Sequence, residues 1–254
     1  MTDSEFYINH YAPIFYVSNP DSILAYYQQL HFFAEPSSGW VQSPGLDMIF
    51  RPKQSDKFTL PNNSIHGEDK YDVFSLVNGI ENIYEEFKLF SALFLKGLVI
   101  NDLGKKEFLL RDTEGFIIKF QEGVGDNLKS KIRFSTKVFY VKNRKETIDY
   151  YRQLGFIGNY DTGFVAKDAL YLMFEETNSK NIEVKEFSGG VSSDVYAGVE
   201  IGINELYHSF KSNNATFLAD LKENGYGKLE FVIIDPAGVT IKFVEYSGNL
   251  LEVF

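Results

Sequence analysis

The sequence predicts an α+β chain of four β-α-β-β-β units, grouped two by two into two domains, and three observations predict it. First, a segment recurs four times: a short apolar strand ending in Asn, a helix, then a hairpin closing on a strand that ends in Phe. Its anchors are Asn19, Asn78, Asn143 and Asn204, followed by Phe50, Phe120, Phe174 and Phe243. Second, odd and even copies match at a longer period, since 143 − 19 = 124 and 243 − 120 = 123. Third, identities fall at that offset. Tyr26-Tyr27-Gln28-Gln29-Leu30 returns as Tyr150-Tyr151-Arg152-Gln153-Leu154, and Gly39-Trp40-Val41 returns as Gly163-Phe164-Val165. Asp112-Thr113-Glu114-Gly115 is likewise echoed by Asp235-Pro236-Ala237-Gly238. A long period carried by one supersecondary unit settles architecture before any single residue is interpreted.

Unit one opens on the apolar strand Ala12 to Val17. Asn19-Pro20-Asp21 then sets a capping side chain ahead of a proline at the first helical position. Ile23, Leu24, Tyr27 and Leu30 keep helical spacing. Strand chemistry resumes near Phe32-Phe33, Trp40-Val41 and Met48-Ile49-Phe50, with the turn Ser43-Pro44-Gly45 between the last two. Unit two takes Val73 to Val77 as its strand, caps near Asn78 and runs a helix through Ile83, Phe87 and Phe90. It ends on Phe108-Leu109-Leu110, a turn, and Phe116 to Phe120. Units three and four repeat the pattern. Residues 123–131 read as a linker, and two weakly patterned joints, Lys53 to Asp69 and Asn178 to Asp194, occupy equivalent places in the two halves. The domains are expected at 1–123 (units 1–69 and 70–123) and 131–254 (units 131–180 and 194–254).

Composition suits this layout. The 254 residues allow two domains of about 125, a size at which each buries a real core. Aromatic residues make up 16%, with 24 Phe and 16 Tyr against one Trp, and serve either as core or as pocket wall. The net charge of −10 argues against nucleic acid or an anionic membrane as partner, because those need clustered Lys and Arg. With no cysteine, disulfides, zinc–thiolate sites and thiol nucleophiles are unavailable. No leader is visible at the polar start and no apolar stretch approaches the roughly 20 residues that span a bilayer, so a cytoplasmic protein is expected. No glycine-rich phosphate loop or Gly-x-Ser-x-Gly elbow is evident.

The phrases Ala12-Pro13-Ile14-Phe15-Tyr16-Val17-Ser18-Asn19, Tyr150-Tyr151-Arg152-Gln153-Leu154-Gly155-Phe156 and Asp235-Pro236-Ala237-Gly238 resemble the vicinal oxygen chelate superfamily. That superfamily includes glyoxalases, extradiol dioxygenases, epimerases and bleomycin-resistance proteins. The resemblance covers nearly the whole chain. It implies two glyoxalase-like domains with curled mixed sheets lining clefts, one per half or built across halves.

Metal-dependent members carry His, Gln or Glu on the first strand of a unit and Glu on its last. Counting back from the Asn anchors, the first-strand slots hold Ala12, Asp72, Thr136 and roughly Gly198. The last-strand slots hold Ile49, Lys119, Met173 and Lys242. A divalent ion needs three or four neutral imidazole or anionic ligands together, and only Asp72 qualifies. The resemblance therefore implies a metal-independent, bleomycin-resistance-like protein with degenerate metal sites and no cofactor. It would bind a small apolar or aromatic molecule as a monomer or homodimer. The alternative is a metal-dependent lyase, isomerase or ring-cleaving dioxygenase with displaced ligands.

Alternation along the strands assigns candidate ligand-binding residues. In the first half they are Tyr16, Trp40, Asp72, Phe74 and Lys119; in the second, Tyr140, Phe164, Tyr171, Glu200 and Lys242. Asp72 facing Lys119, and Glu200 facing Lys242, are expected to form an ion pair where a metal would stand. The other readings are lysines lining a wet groove, or lysines holding an anionic ligand group. Trp40 and Phe164 serve either as stacking walls or as core. His10 lies one step outside a missing ligand slot and reads as a strand-end histidine.

Overall fold

The computed structural model describes residues 6–53, 59–123, 131–178 and 193–246. Four β-α-β-β-β repeats follow one another. The first is β1 (Tyr7–Val17), α1 (Pro20–Gln29), β2 (Phe33–Glu35), β3 (Trp40–Ser43) and β4 (Leu46–Pro52). After a single-turn helix, α2 (Asn62–His66), the second is β5 (Val73–Asn78), α3 (Ile80–Leu89), β6 (Phe94–Ile100), β7 (Lys106–Arg111) and β8 (Ile117–Glu122). The third is β9 (Lys131–Val141), α4 (Arg144–Gln153), β10 (Ile157–Gly158), β11 (Phe164–Lys167) and β12 (Leu170–Glu176). The fourth is β13 (Val195–Ile201), α5 (Ile203–Ser212), β14 (Thr216–Glu223), β15 (Leu229–Ile234) and β16 (Thr240–Glu245). The α+β class is as expected. Two mixed eight-stranded sheets result, ordered β14-β15-β16-β13-β1-β4-β3-β2 and β10-β11-β12-β9-β5-β8-β7-β6.

The chain divides into two compact lobes, and the cuts fall inside the long strands β1 and β9. One lobe is Phe15–Val138; the other joins Met1–Ile14 to Phe139–Phe254. The cuts are themselves 138 − 14 = 124 residues apart, so the sequence period and the compact lobes are two divisions of one duplicated chain. The start of β9 pairs with β5 (Phe74 opposite Thr136), and the start of β1 pairs with β13 (Ala12 opposite Tyr196). Most of the expected linker, 124–130, lies outside the described residues, as does most of the joint after Asn178. The joint from Lys53 to Asp69 contains α2, whose five residues are too few to show a helical period.

Two of the four anchors move. Asn19 and Asn143 cap α1 and α4 as the sequence implies, each side chain accepting the N–H of the third residue on, Ser22 or Glu146, at 3.1 Å. The helices α3 and α5 start differently: their caps are Gly79 and Gly202 in the left-handed conformation, without a side-chain bond. Asn78 is the last residue of β5, and Asn204 lies inside α5. Backbone geometry available to glycine replaces capping chemistry there, and Asn204 is no register marker.

Each lobe has its own core on the helix-covered face of its strands. Tyr27, Phe50, Phe108 and Phe120 belong to the first, and Tyr151, Phe174, Phe231 and Phe243 to the second. The stacking repeats with the sequence: Phe108 lies 4.8 Å from Phe120, and Phe231 4.9 Å from Phe243, between ring centroids. Each fully buried ring contributes on the order of 2–3 kcal/mol. The Tyr-Tyr-x-Gln-Leu phrase joins repeats within a lobe. Tyr26 Oη donates to the carbonyl of Arg111 and accepts Leu93 N–H, while Gln29 Nε2 reaches the carbonyl of Phe90 at 2.8 Å. Tyr150 and Gln153 do the same to Ile234, Thr216 and Asn213.

Candidate functional site

The first lobe carries a cavity of about 760 Å³ on the sheet face opposite its core, with Tyr71, Lys96, Glu107, Arg111 and Lys119 in its wall. Alternation along β7 sends Phe108 and Leu110 into the core and leaves Glu107, Leu109 and Arg111 on the cavity face. β8 sets Lys119 opposite Leu109 on one side and Phe74 on the other. β6 adds Leu95 and Lys96, and the segment around α2 adds Asn63, Glu68, Asp69 and Tyr71.

Glu107 organises the charges. Its Oε2 meets Lys119 Nζ at 2.8 Å and accepts from Asn101 Nδ2 at 2.9 Å, while Oε1 meets Lys96 Nζ at 3.0 Å. Asn101 is itself fixed by the β6–β7 turn, its Oδ1 accepting the N–H groups of Leu103 and Lys105. Glu107 is only 5% exposed. Burial alone would raise its pKa, but the bonds from Lys119, Asn101 and Lys96 outweigh that and hold it at about 2. Lys119 Nζ also lies 5.2 Å from the centroid of the Tyr71 ring, a cation–π contact. One carboxylate thus answers two ammonium groups. Arg111, exposed on the same wall, has no carboxylate partner among the described residues.

The expected ion pairs form with other partners. Lys119 is held by Glu107 on the neighbouring strand, not by Asp72, and Lys242 by Glu230 at 2.8 Å, not by Glu200. Glu200 is exposed at the end of β13. Counting from Asn204 misplaced it: register puts Val195 opposite Ile241 as Val73 is opposite Ile118, so Asp194 is the counterpart of Asp72. Asp72 is instead a buried staple. Its two oxygens accept the N–H groups of Asn62 and Ile117, both at 2.8 Å, and burial pushes its pKa up to about 7. Asp194 Oδ2 accepts both the N–H and the hydroxyl of Thr240, the residue that stands in the place of Ile117.

The remaining candidates are distributed between the lobes. Phe74 lies beside the cavity, its ring 6.5 Å from that of Tyr71. Trp40 is 4% exposed and donates from Nε1 to Asp47 at 3.1 Å, and Tyr16 is half-buried on β1, where its backbone bonds Thr59. In the second lobe Tyr140 is buried, Phe164 lies opposite Met173, and the Tyr171 ring is 6.0 Å from that of Tyr11. His10 is half-buried beside the rings of Tyr196 and Tyr246, and desolvation lowers its pKa to about 4. Glu107, Lys96, Asn101, Tyr71 and Arg111 are the residues that sequence reasoning missed. A signal existed for three positions: Asn101, Glu107 and Lys119 recur at 123 residues as Asn224, Glu230 and Lys242, with Asn224 again donating to Glu230. The second copy keeps the triad but has Ala219 for Lys96 and Ile234 for Arg111.

The slots that the resemblance assigns to a metal do not fit one. They hold Ala12, Thr136, Gly198, Ile49 and Met173, the cations Lys119 and Lys242, and Asp72, whose oxygens are taken by backbone donors. Among the described residues no three His, Asp or Glu side chains gather as an ion requires. No described helix is long and apolar enough to cross a membrane.

No protein-family model matches the sequence, and no curated protein matches it. Solved structures do match in fold. Glyoxalase I from Zea mays is similar with a TM-score of 0.54 at 13% identity, over 93% of this chain and 92% of its own. The cppA protein from Streptococcus pneumoniae TIGR4 is similar with a TM-score of 0.52 at 14% identity, over 94% and 99%. The chain has a tandem two-domain vicinal oxygen chelate fold. At these identities the likeness concerns fold alone, and chemistry rests on the site itself.

Proposed function

We propose that the first-lobe cleft binds a small organic anion with an aromatic or apolar body, and that the chain acts by holding this molecule. The observation that carries the reading is a cavity of about 760 Å³ where one carboxylate is shared by two lysines beside Arg111, which has no carboxylate partner among the described residues. Glu68 and Asp69 also line it, but Asp69 is answered by Lys70 at 3.0 Å. Tyr71, Leu95 and Leu109 supply apolar wall. A few convergent polar groups among apolar ones is how small-molecule sites are built, and Arg111 offers a fork suited to a carboxylate. Holding rather than converting follows from the cluster's acidity. A carboxylate held at about 2 is a poor general base at neutral pH.

Calorimetric titration with benzoate, against benzamide as the uncharged isostere, tests this. Benzoate should bind and weaken with added salt, benzamide should not bind, and Arg111→Ala or Lys96→Ala should weaken benzoate at least fivefold. Equal affinity for acid and amide, or indifference to both variants, would refute it.

A further inference from the structure

The two lobes close the same corner with different chemistry. In the first, the last backbone donors before α1 are the N–H groups of Ser18 and Asn19, and they reach the two oxygens of Glu114 at 3.2 and 3.0 Å. Glu114 projects from the turn Asp112-Thr113-Glu114-Gly115. The second lobe repeats the backbone closely: Gly238 N–H bonds the carbonyl of Asp235 at 3.0 Å, as Gly115 bonds Asp112 at 3.1 Å. Val239 N–H meets Asp235 Oδ1 at 2.8 Å, where Phe116 meets Asp112 at 2.9 Å. The side chains differ. Ala237 stands in the place of Glu114 and Lys142 in the place of Ser18. An acid has gone and a base has been gained.

A cavity of about 260 Å³ opens where that carboxylate would sit, with Lys142, Asn143, Glu146, Thr147, Pro236 and Ala237 in its wall. The backbone N–H groups of Lys142 and Asn143 meet no acceptor among the described residues, and the Lys142 side chain has no acidic partner there. We propose that this cavity binds a small carboxylate in the way the first lobe binds Glu114. Three features favour it: two convergent N–H groups, the positive end of the ten-residue helix α4, and the Lys142 ammonium. Glu146 opposes it, yet its Oε2 is occupied by Asn143 Nδ2 at 3.0 Å. The site shares no residue with the first-lobe cleft, and the occupied corner around Glu114 is its internal precedent.

Amide NMR of the full chain, titrated with sodium acetate at constant ionic strength with chloride and phosphate as separate arms, tests the proposal. Acetate should shift the Lys142 and Asn143 amides saturably while leaving Ser18 and Asn19 unmoved. Ala237→Glu, which restores the internal carboxylate, should weaken the response at least tenfold, and Lys142→Ser should weaken it several-fold without touching the core. Glu114→Ala should create a second response at Ser18 and Asn19. A linear, chloride-like response at Lys142 and Asn143, a preference for phosphate, or an acetate response unchanged by Lys142→Ser overturns the proposal. If Ala237→Glu does not fold, the Lys142→Ser titration decides alone.

Discussion

Replacing Glu107 with Gln should make the protein less stable and at the same time a better anion binder. The carboxyl is held at about 2 rather than its ordinary 4.5. That difference corresponds to about 3 kcal/mol at neutral pH, fully present above 4.5 and lost as pH falls towards 2, because the folded pKa is the depressed one. Lys96 is 45% exposed and its share is screened, so about 2 kcal/mol is the expected loss for the variant at pH 7. With a urea m-value of about 2 kcal/mol/M, the unfolding midpoint should drop by about 1 M. Wild type and variant should converge only near pH 2, where the folded carboxyl is protonated as well. The ligand effect has the opposite sign: Lys119 and Lys96, released from Glu107, should bind benzoate several-fold more tightly. Urea titrations at both pH values and calorimetry at pH 7 read these outcomes. A variant equally stable at pH 7, a gap at pH 2 as large as that at pH 7, or weaker benzoate binding would each refute the reasoning.

Other consequences follow from the same geometry. Asp72, Asp112 and Asp235 are raised to about 7, with burial the largest cause, so their protonated forms favour the folded state. Stability should fall as pH rises from about 4 past 7, and urea midpoints measured at pH 5.5 and 8 should show the higher value at the lower pH. Gly39 and Gly163 have left-handed backbones, and a methyl group at either would collide with the carbonyl of Phe50 or Phe174. Alanine at either position should cost roughly 2–4 kcal/mol in chemical denaturation; a loss under about 0.5 would show that the hairpin can relax. Because the metal slots hold the wrong donors, protein purified without chelator should contain no stoichiometric transition metal by elemental analysis. EDTA should leave its melting temperature unchanged, and a one-to-one metal content would contradict the assignment.

The repeat made the fold legible and hid the site for the same reason. Tyr26-Tyr27-Gln28-Gln29 and its copy recur because they tie two repeats together within each lobe, and Gly39 and Gly163 recur because their carbonyls accept from Phe50 and Phe174 at 2.8 and 2.9 Å. These identities are scaffold. Asp72 looked like a ligand from its slot, but the slot begins a strand whose neighbours need a cap, and the backbone claims both oxygens. Lys119 lies on the cavity face, and its partner stands on β7, one neighbour of β8, whereas the sequence reading sought it beside β5, the other neighbour. Glu107 and Glu230 were available at the period of 123, yet pairing between β7 and β8 depends on register that no single strand encodes. Arg111 and Lys96 lack copies in the second half, so repeat matching could not see them. Both proposals rest on differences between the copies, Arg111 against Ile234 and Glu114 against Ala237.

The most direct test of the account is a structure determined with benzoate bound. The ring should lie against Tyr71, with the carboxylate within about 3.5 Å of the Arg111 guanidinium and of the Lys119 or Lys96 ammonium. Benzoate seated away from these three cations, or an empty cleft at saturating benzoate, would contradict the account.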